Sequence, residues 1–134
     1  MKKEIIFTKK TPLPKGHFSQ AIKAGDFIFV SGQTPRDLKT GEILASGDIE
    51  AQTDIVMRNI ETILNVGGTS LSNVVKSSVF IDDYRKFKLF NNVYKKYFPK
   101  EPPARTTVST ENFEKGLCIE IDVIALAPRK QTFN

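Results

Sequence analysis

The chain has 134 residues, 40% of them hydrophobic, and a formal net charge of +5. This size fits one domain spanning residues 1–134, and no apolar run approaches the about 20 residues that a membrane-spanning helix needs. One cysteine and one histidine exclude a disulfide framework and the usual cysteine- or histidine-rich metal sites, so we expect a cytoplasmic protein that holds no metal.

Hydrophobic periodicity and turn residues predict eight elements. In chain order they are strands at 4–8, 18–23 and 27–31, a helix at 48–66, a strand at 74–81, a helix at 84–98, and strands at 104–110 and 118–127. Gly25-Asp26 indicates a hairpin, Asp48 is expected to cap the first helix, and Gly67-Gly68 to end it. The order predicts an α+β fold with a mixed β-sheet and two helices on one face.

Two helices cover only one face of such a sheet. Strands 27–31 and 118–127 nevertheless carry apolar residues at successive positions, which favours burial on both faces. In so short a chain the simplest second partner is a copy of itself, so we expect a closed homo-oligomer.

The last predicted strand carries two carboxylates. Because side chains alternate between the faces of a strand, Ile119 and Ile121 share an apolar face, and Glu120 and Asp122 lie on the opposite face with Cys118. Two interpretations remain open. The carboxylates are solvated on an exposed strand face, or one is held in a cleft between subunits, where it could polarise a water molecule.

Three other positions could contact a ligand. Pro102-Pro103 bring Arg105 to the start of a strand, and a guanidinium binds a carboxylate through two parallel hydrogen bonds, although spacing alone favours a structural ion pair or an arginine at the rim. Gly32 allows a ligand to approach the backbone, but an ordinary strand-to-loop transition explains it equally well. Asn91 is a poor residue for a helix interior, so a side-chain contact could hold it, although solvent exposure is the simpler explanation.

No other catalytic motif is present in the sequence. It contains no Gly-rich phosphate loop, no metal-ligand spacing and no nucleophile elbow. We expect Cys118 to be a buried thiol rather than a nucleophile, because His17 is the only histidine that could serve as its base.

A series of short motifs runs through the chain in a fixed order. They are Gly16-His17-Phe18-Ser19-Gln20-Ala21, Val30-Ser31-Gly32-Gln33-Thr34-Pro35, Thr40-Gly41-Glu42, Gln52-Thr53, Asn59-Ile60, Val79-Phe80-Ile81-Asp82-Asp83, Asn91 with Tyr94 and Phe98, Pro103-Ala104-Arg105-Thr106-Thr107-Val108, and Ile119-Glu120-Ile121. Together they resemble the reactive intermediate deaminase family, also called RidA or YjgF, from about residue 4 to residue 127.

The resemblance implies a chorismate-mutase-like fold and a homotrimer with ligand clefts between its subunits. It also implies hydrolysis of 2-imino acids such as 2-iminobutanoate and 2-iminopropanoate, or of their enamine tautomers, to 2-keto acids and ammonia. These imines are released by pyridoxal-phosphate-dependent dehydratases. No metal or organic cofactor and no membrane partner are expected.

The family's functional residues fall on matching positions of this chain. Arg105 would clamp the substrate carboxylate, and Glu120 would position or polarise the attacking water. The main chain of Thr107 would contact the imine nitrogen or the water. The remaining positions expected to line the cleft are Phe18, Ser31, the Gly32 amide and Asn91.

This sequence departs from the family's pattern at three positions. A tyrosine is common where Phe18 stands, so a phenolic hydroxyl is missing while ring stacking is kept. A proline often stands at His17, and a cysteine or serine is frequent at Thr107, which matters less if only its backbone acts. Arg105 and Glu120 are both present.

Two other functions compete with deamination. A non-catalytic metabolite-binding or regulatory trimer of the same family is the alternative, and Phe18 is its best support. RNA binding or cleavage is not expected from the charge distribution. Residues 1–30 carry six basic and two acidic side chains, residues 128–134 carry two basic ones, and the stretch between carries 12 basic against 13 acidic.

Overall fold

A mixed sheet with two helices packed on one face forms the part of the chain that the computed structural model describes, residues 2–129. Met1 and residues 130–134, which include Lys130 of the basic C-terminus, lie outside the described residues. The elements are β1 (Lys3–Ile6), β2 (Ala21–Ala24), β3 (Phe27–Gln33), α1 (Ile49–Val66), β4 (Val74–Ile81), α2 (Phe87–Tyr97), β5 (Ala104–Ser109) and β6 (Ile119–Leu126), with 3₁₀ turns at Leu71–Asn73 and Tyr84–Lys86.

The strand order in the sheet is β1-β2-β3-β6-β4-β5. All neighbouring strands are antiparallel except β4 and β5, which are parallel. The predicted α+β class, the order of the elements and the mixed sheet are therefore confirmed. Within residues 2–129, no helix combines the length and the apolar character that crossing a bilayer requires.

Two boundaries differ from the prediction because local hydrogen bonds compete with regular structure. The strand expected from residue 18 begins at Ala21, since the Phe18 amide closes a turn by donating to the Gly16 carbonyl at 3.0 Å. The helix expected from residue 84 begins at Phe87. Asp83 accepts a hydrogen bond from the Arg85 amide and closes a 3₁₀ turn first.

The first helix is bounded by the predicted caps. The Asp48 carboxylate accepts a hydrogen bond from the Ala51 amide at 3.1 Å, which satisfies one of the free N–H groups of the first turn. Gly68 adopts a φ of +86°, a left-handed conformation that a side chain would strain. Between the caps, the buried face contains Ile49, Gln52, Thr53, Val56, Met57, Ile60, Ile63 and Leu64.

The two faces of the sheet differ in what covers them. Ile28 and Val30 of β3 are buried beneath the helices, whereas Phe27 and Phe29 on the opposite face are 40% and 43% exposed. Phe29 has Ile22 of β2 and Ile124 of β6 as its Cα partners, so apolar side chains continue across three strands. The expected burial of β3 on both faces is thus not met within one chain, and self-association through this open sheet face remains a prediction.

We expect Phe29→Glu to reduce the native mass of the protein, because a carboxylate would have to be buried without a partner in the interface. Light scattering coupled to size exclusion measures this mass. Leu89→Glu on α2, where the side chain is 46% exposed, is the matched control and should leave the mass unchanged. An unchanged oligomer in Phe29→Glu would show that a different surface holds the copies together.

Candidate functional site

An open cleft of about 840 Å³ lies between the N-terminal loop, the loop after β3 and the start of β6. We call it the Glu120 cleft. Side chains of both charges, a glutamine amide and an aromatic ring contribute to its wall, including Phe18, Gln20, Gly32, Arg36, Glu114 and Glu120. Three of the residues expected to form the site therefore share one recess: Phe18, Gly32 and Glu120.

Glu120 is a half-buried carboxylate on the open sheet face. No hydrogen bond or ion pair to it is found among residues 2–129. Burial raises the pKa of Glu120, the neighbouring Asp122 carboxylate raises it further, and Arg36 lowers it. A carboxyl group with a raised pKa and free oxygens is suited to accept and return a proton. Within one chain, Glu120 is thus partly shielded from solvent, and both interpretations of this carboxylate stay open.

Gly32 determines where the Glu120 carboxylate lies. A Cβ atom at this position would stand 2.6 Å from Glu120 Oε2, closer than any real contact. The glycine lies where the pairing of β3 with β6 shifts register between Val30 and Gln33. This irregularity brings the backbone of β3 against the carboxylate, and only the absence of a side chain leaves room for it.

Ser31 forms hydrogen bonds within its own chain. Its hydroxyl donates to the Ser19 carbonyl at 2.6 Å, and its amide donates to the Gln20 carbonyl at 2.9 Å. These bonds fix the segment that carries Phe18, whose ring is 54% exposed at the cleft. Ser31 thus supports the wall of the Glu120 cleft from behind.

A second recess of about 400 Å³ opens between α2 and the start of β5. We call it the Arg105 pocket, and its wall consists of Asn91, Tyr94, Lys95, Phe98, Pro102, Pro103 and Arg105. The hydroxyls of Tyr94 and Thr107 are buried near this end of the sheet, and neither has a hydrogen-bond partner within residues 2–129. The Thr107 side chain points to the same face as Arg105, two residues along β5.

Arg105 is held by aromatic rings and one amide. Its guanidinium carbon lies 5.3, 5.5 and 4.8 Å from the ring centres of Phe87, Phe90 and Tyr94. Its Nη1 donates to Asn91 Oδ1 at 2.8 Å. No carboxylate of the described chain forms an ion pair with it, so the structural ion pair favoured by spacing is absent from residues 2–129.

Asn91 makes the side-chain contact that was one of the two explanations for its place in a helix. Solvent exposure was its simpler explanation, but the side chain is half-buried and accepts the hydrogen bond from Arg105. The aromatic rings and the amide fix the guanidinium while leaving most of its donors free.

The two recesses lie on opposite faces of the sheet. Arg105 has Ser77 of β4 as its Cα partner, and both side chains point towards the helices. Glu120 has Phe80 as its Cα partner, on the open face. One chain does not bring Arg105 and Glu120 together, so a site that contains both needs two copies.

Cys118 and His17 stay outside both recesses. Strand alternation places Cys118 with Glu120, but β6 begins only at Ile119, and the thiol turns into the core, where it is fully buried. Burial raises the pKa of this thiol, which lies 3.5 Å from Lys86 Nζ. His17 is exposed. In the part of the chain that is described, no three His, Cys, Asp or Glu side chains are grouped to hold a metal ion.

Sequence reasoning missed Arg36. Its guanidinium bonds to Glu114 at 2.7 Å and to Thr34 Oγ1 at 3.0 Å, in the wall of the Glu120 cleft. Arg36 stands in a polar loop, and Glu114 follows 78 residues later in another loop. Neither segment has a periodicity that could have paired them.

Fold and recesses define the class of protein: a small α+β protein with an open apolar sheet face and charged groups divided between its two sides. A sequence model described as Endoribonuclease L-PSP matches residues 8–127. A RutC family protein of Pyrococcus abyssi is 49% identical over 125 residues, which are 93% of this chain and 98% of that protein. The chloroplastic Reactive Intermediate Deaminase A of Arabidopsis thaliana is 39% identical over 93% of this chain and 66% of that protein.

Solved structures agree with these relatives. The crystal structure of E. coli TdcF with bound serine superposes with a TM-score of 0.84 at 33% identity, covering 92% of this chain and 98% of TdcF. The chain belongs to the RidA/YjgF family, which includes reactive intermediate deaminases.

The contact between Gly32 and Glu120 predicts a coupled effect on stability. Gly32→Ala should lower the free energy of unfolding by about 1–3 kcal/mol, because the added methyl group overpacks against the carboxylate. In a Glu120→Ala background the same substitution should cost much less, since the clashing atoms are gone. Denaturant unfolding of the four proteins at one concentration measures both values. Equal losses in the two backgrounds would refute the contact.

Proposed function

We propose that this protein is a 2-iminobutanoate/2-iminopropanoate deaminase, which hydrolyses reactive imines or enamines of amino-acid metabolism to 2-keto acids and ammonia. The observation that carries the proposal is Arg105, a half-buried cation fixed by aromatic rings and Asn91, without an anionic partner in the described chain. A small carboxylate is the anion that such a planar fork binds best.

The reaction needs orientation more than covalent catalysis. Arg105 binds the carboxylate of the imino acid, and the Asn91 oxygen keeps the guanidinium plane in position. The neighbouring imine carbon is already electrophilic when the nitrogen is protonated. Holding this carbon against a placed water molecule therefore supplies much of the acceleration.

Glu120 acts on the water. The water oxygen forms a bond to the imine carbon while Glu120 accepts a proton from it. Glu120 returns that proton to the nitrogen of the resulting carbinolamine, and the carbon–nitrogen bond breaks as an oxygen lone pair forms the carbon–oxygen double bond. Ammonia leaves, and the remaining hydroxyl proton passes to Glu120 and from there to the ammonia or to solvent, which leaves the keto group. The raised pKa of Glu120 suits both directions of proton transfer, and such acid–base help contributes about 10²–10⁴-fold.

The proposed site is shared between copies. Since Arg105 and Glu120 lie on opposite faces of one sheet, Arg105 of one chain would meet the Glu120 cleft of another. β5 is an edge strand, with a neighbour on one side only, so the Thr107 main chain is free on its outer side within the described chain. A homotrimer joined at the open sheet faces is the assembly we propose.

The relatives support this assignment. The Arabidopsis relative is named a reactive intermediate deaminase. TdcF was crystallised with serine, a small molecule with a carboxylate next to a carbon that bears nitrogen. The same two groups are the ones that the Arg105 and Glu120 recesses would receive from a 2-imino acid.

Removal of the guanidinium should weaken catalysis strongly. With 2-iminobutanoate generated in situ, we expect keto-acid release above the buffer rate, and a loss of about 10- to 100-fold in kcat/KM for Arg105→Ala, since a hydrogen-bonded charge contact is removed. Lys95→Ala is the control, because it removes a cation from the same pocket and leaves the hydrogen bond between Arg105 and Asn91 in place. An Arg105→Ala protein as active as the wild type would end the proposal.

Glu120→Gln keeps the shape of the side chain and removes its basicity. We expect kcat to fall by about 10²-fold or more while KM changes little, because proton transfer is lost and carboxylate binding is kept. Initial rates over a range of imine concentrations separate the two constants. A change confined to KM would instead assign Glu120 to substrate binding.

Two outcomes would favour other functions. Binding of 2-ketobutanoate without turnover of the imine would indicate the metabolite-binding alternative. The description of the family model makes RNA a second candidate, although Arg85 and Lys86 of the basic segment 84–100 are paired with Asp83 and Asp82. Cleavage of RNA by wild-type protein that Arg105→Ala and Glu120→Gln leave intact would separate that activity from the proposed site.

A further inference from the structure

Charged groups face Glu120 from several elements. Asp122 stands on the same strand, and Arg36 reaches into the cleft from the loop after β3. The other charged side chains in the wall of the Glu120 cleft are Lys15, Glu42, Glu114 and Lys115. Asp122 raises the pKa of Glu120 because it is a like charge, and Arg36 lowers this pKa because it is an opposite charge.

Asp122 is held near Glu120 by the strand that carries both residues, and its carboxylate has no partner within residues 2–129. It lies two residues beyond Glu120 on the same face of β6, about 7 Å along the strand. Its Cα partner on β4 is Ser78, and no hydrogen bond or ion pair to Asp122 occurs within residues 2–129. Its carboxylate therefore acts on Glu120 without a neutralising cation from the described chain.

Arg36 is held by hydrogen bonds to other residues, and it forms no ion pair with Glu120 within residues 2–129. Its Nε donates to Thr34 Oγ1 at 3.0 Å, Nη1 to the Gly41 carbonyl at 3.2 Å, and Nη2 to Glu114 Oε1 at 2.7 Å. These bonds use all three nitrogens of the guanidinium and tie two loops together. Arg36 consequently acts on Glu120 through space, as a cation that does not close onto the carboxylate.

We propose that Asp122 and Arg36 are positioning residues that set the charge state of Glu120, Asp122 favouring the protonated acid and the clamped Arg36 favouring the carboxylate. This inference rests on the proposed function in one respect: balanced opposition lets Glu120 first take the proton from water and then return it to the departing nitrogen. A carboxylate paired directly with arginine would hold its proton too weakly for the second step.

Burial of Glu120 contributes in the same direction as Asp122 and raises its pKa most. Burial alone would favour the protonated form of Glu120, and the positive charge of Arg36 shifts part of the population back to the carboxylate. In an assembled cleft, Arg105 of a second copy would add another cation, and this contribution is unchanged by substitutions at the two positioning residues. Differences between variants therefore report Asp122 and Arg36.

Carbon-13 NMR of the Glu120 side chain tests the proposal in the full-length protein. Asp122→Asn should move the titration midpoint of Glu120 to lower pH, because a like charge is lost. Arg36→Gln should move it to higher pH, because an opposite charge is lost. In the pH profile of imine hydrolysis, the acidic limb should move to lower pH in Asp122→Asn and to higher pH in Arg36→Gln.

Two control variants keep the test specific. Glu61→Gln removes a carboxylate from the exposed face of α1 and should leave the midpoint unchanged. Arg36→Lys keeps the positive charge but cannot make all three clamping hydrogen bonds, so the midpoint should stay closer to the wild-type value than in Arg36→Gln. If Arg36→Lys shifts the midpoint as far as Arg36→Gln, the shift comes from the loop and not from the charge, and the role of Arg36 is refuted.

The two proposals fail separately. An Asp122→Asn protein with an unchanged Glu120 midpoint overturns the inference, whether or not the protein hydrolyses imines. Midpoints that move as expected in a protein without hydrolytic activity uphold the electrostatic pairing and refute the proposed function.

Discussion

The alternation of side chains along two strands governs the arrangement of the site. Arg105 occupies a helix-facing position of β5, and Glu120 occupies an open-face position of β6. No change of rotamer moves either group to the other side of the sheet. If both act on one substrate, the catalytic unit is an assembly, and the apolar open face that would join the copies is as necessary to function as the charged groups.

Each group is held by a feature of its own recess. Arg105 is confined by the rings of Phe87, Phe90 and Tyr94, so that the cation stays oriented without a carboxylate that would compete with the substrate. Glu120 lies against the bare backbone of Gly32 and is only half-buried. Both recesses keep hydrogen-bonding capacity unused within the described chain, as a site for a small polar ligand requires.

The fold could be predicted from sequence to a large extent because its signals are local. The capped periodicity of α1, the Gly25 hairpin and the alternation of β6 each appear within a few residues, and the structure confirms all three. Cys118 shows the limit of such local signals. Alternation placed its side chain on the face of Glu120, but alternation holds only inside a strand, and β6 starts one residue later, at Ile119.

The residues of the candidate site could be named from the sequence, but their arrangement could not. Motifs that match the family identified Arg105 and Glu120, but which face each occupies depends on the register of β5 and β6 against β4. The clamp of Arg36 by Glu114 joins loops without periodicity, and Asn91 looked exposed because its partner stands on another element. Such contacts follow from tertiary packing, which no local pattern encodes.

Mixed oligomers test the shared cleft most directly. Arg105→Ala and Glu120→Ala chains with different tags, each expected to be strongly impaired alone, would be co-expressed and isolated through both tags. If Arg105 and Glu120 act from different copies, each mixed trimer isolated through both tags has one intact cleft, about a third of the wild-type sites, because only that cleft draws one intact residue from each kind of chain. Mixed oligomers that stay as inactive as their two parents would contradict the shared cleft.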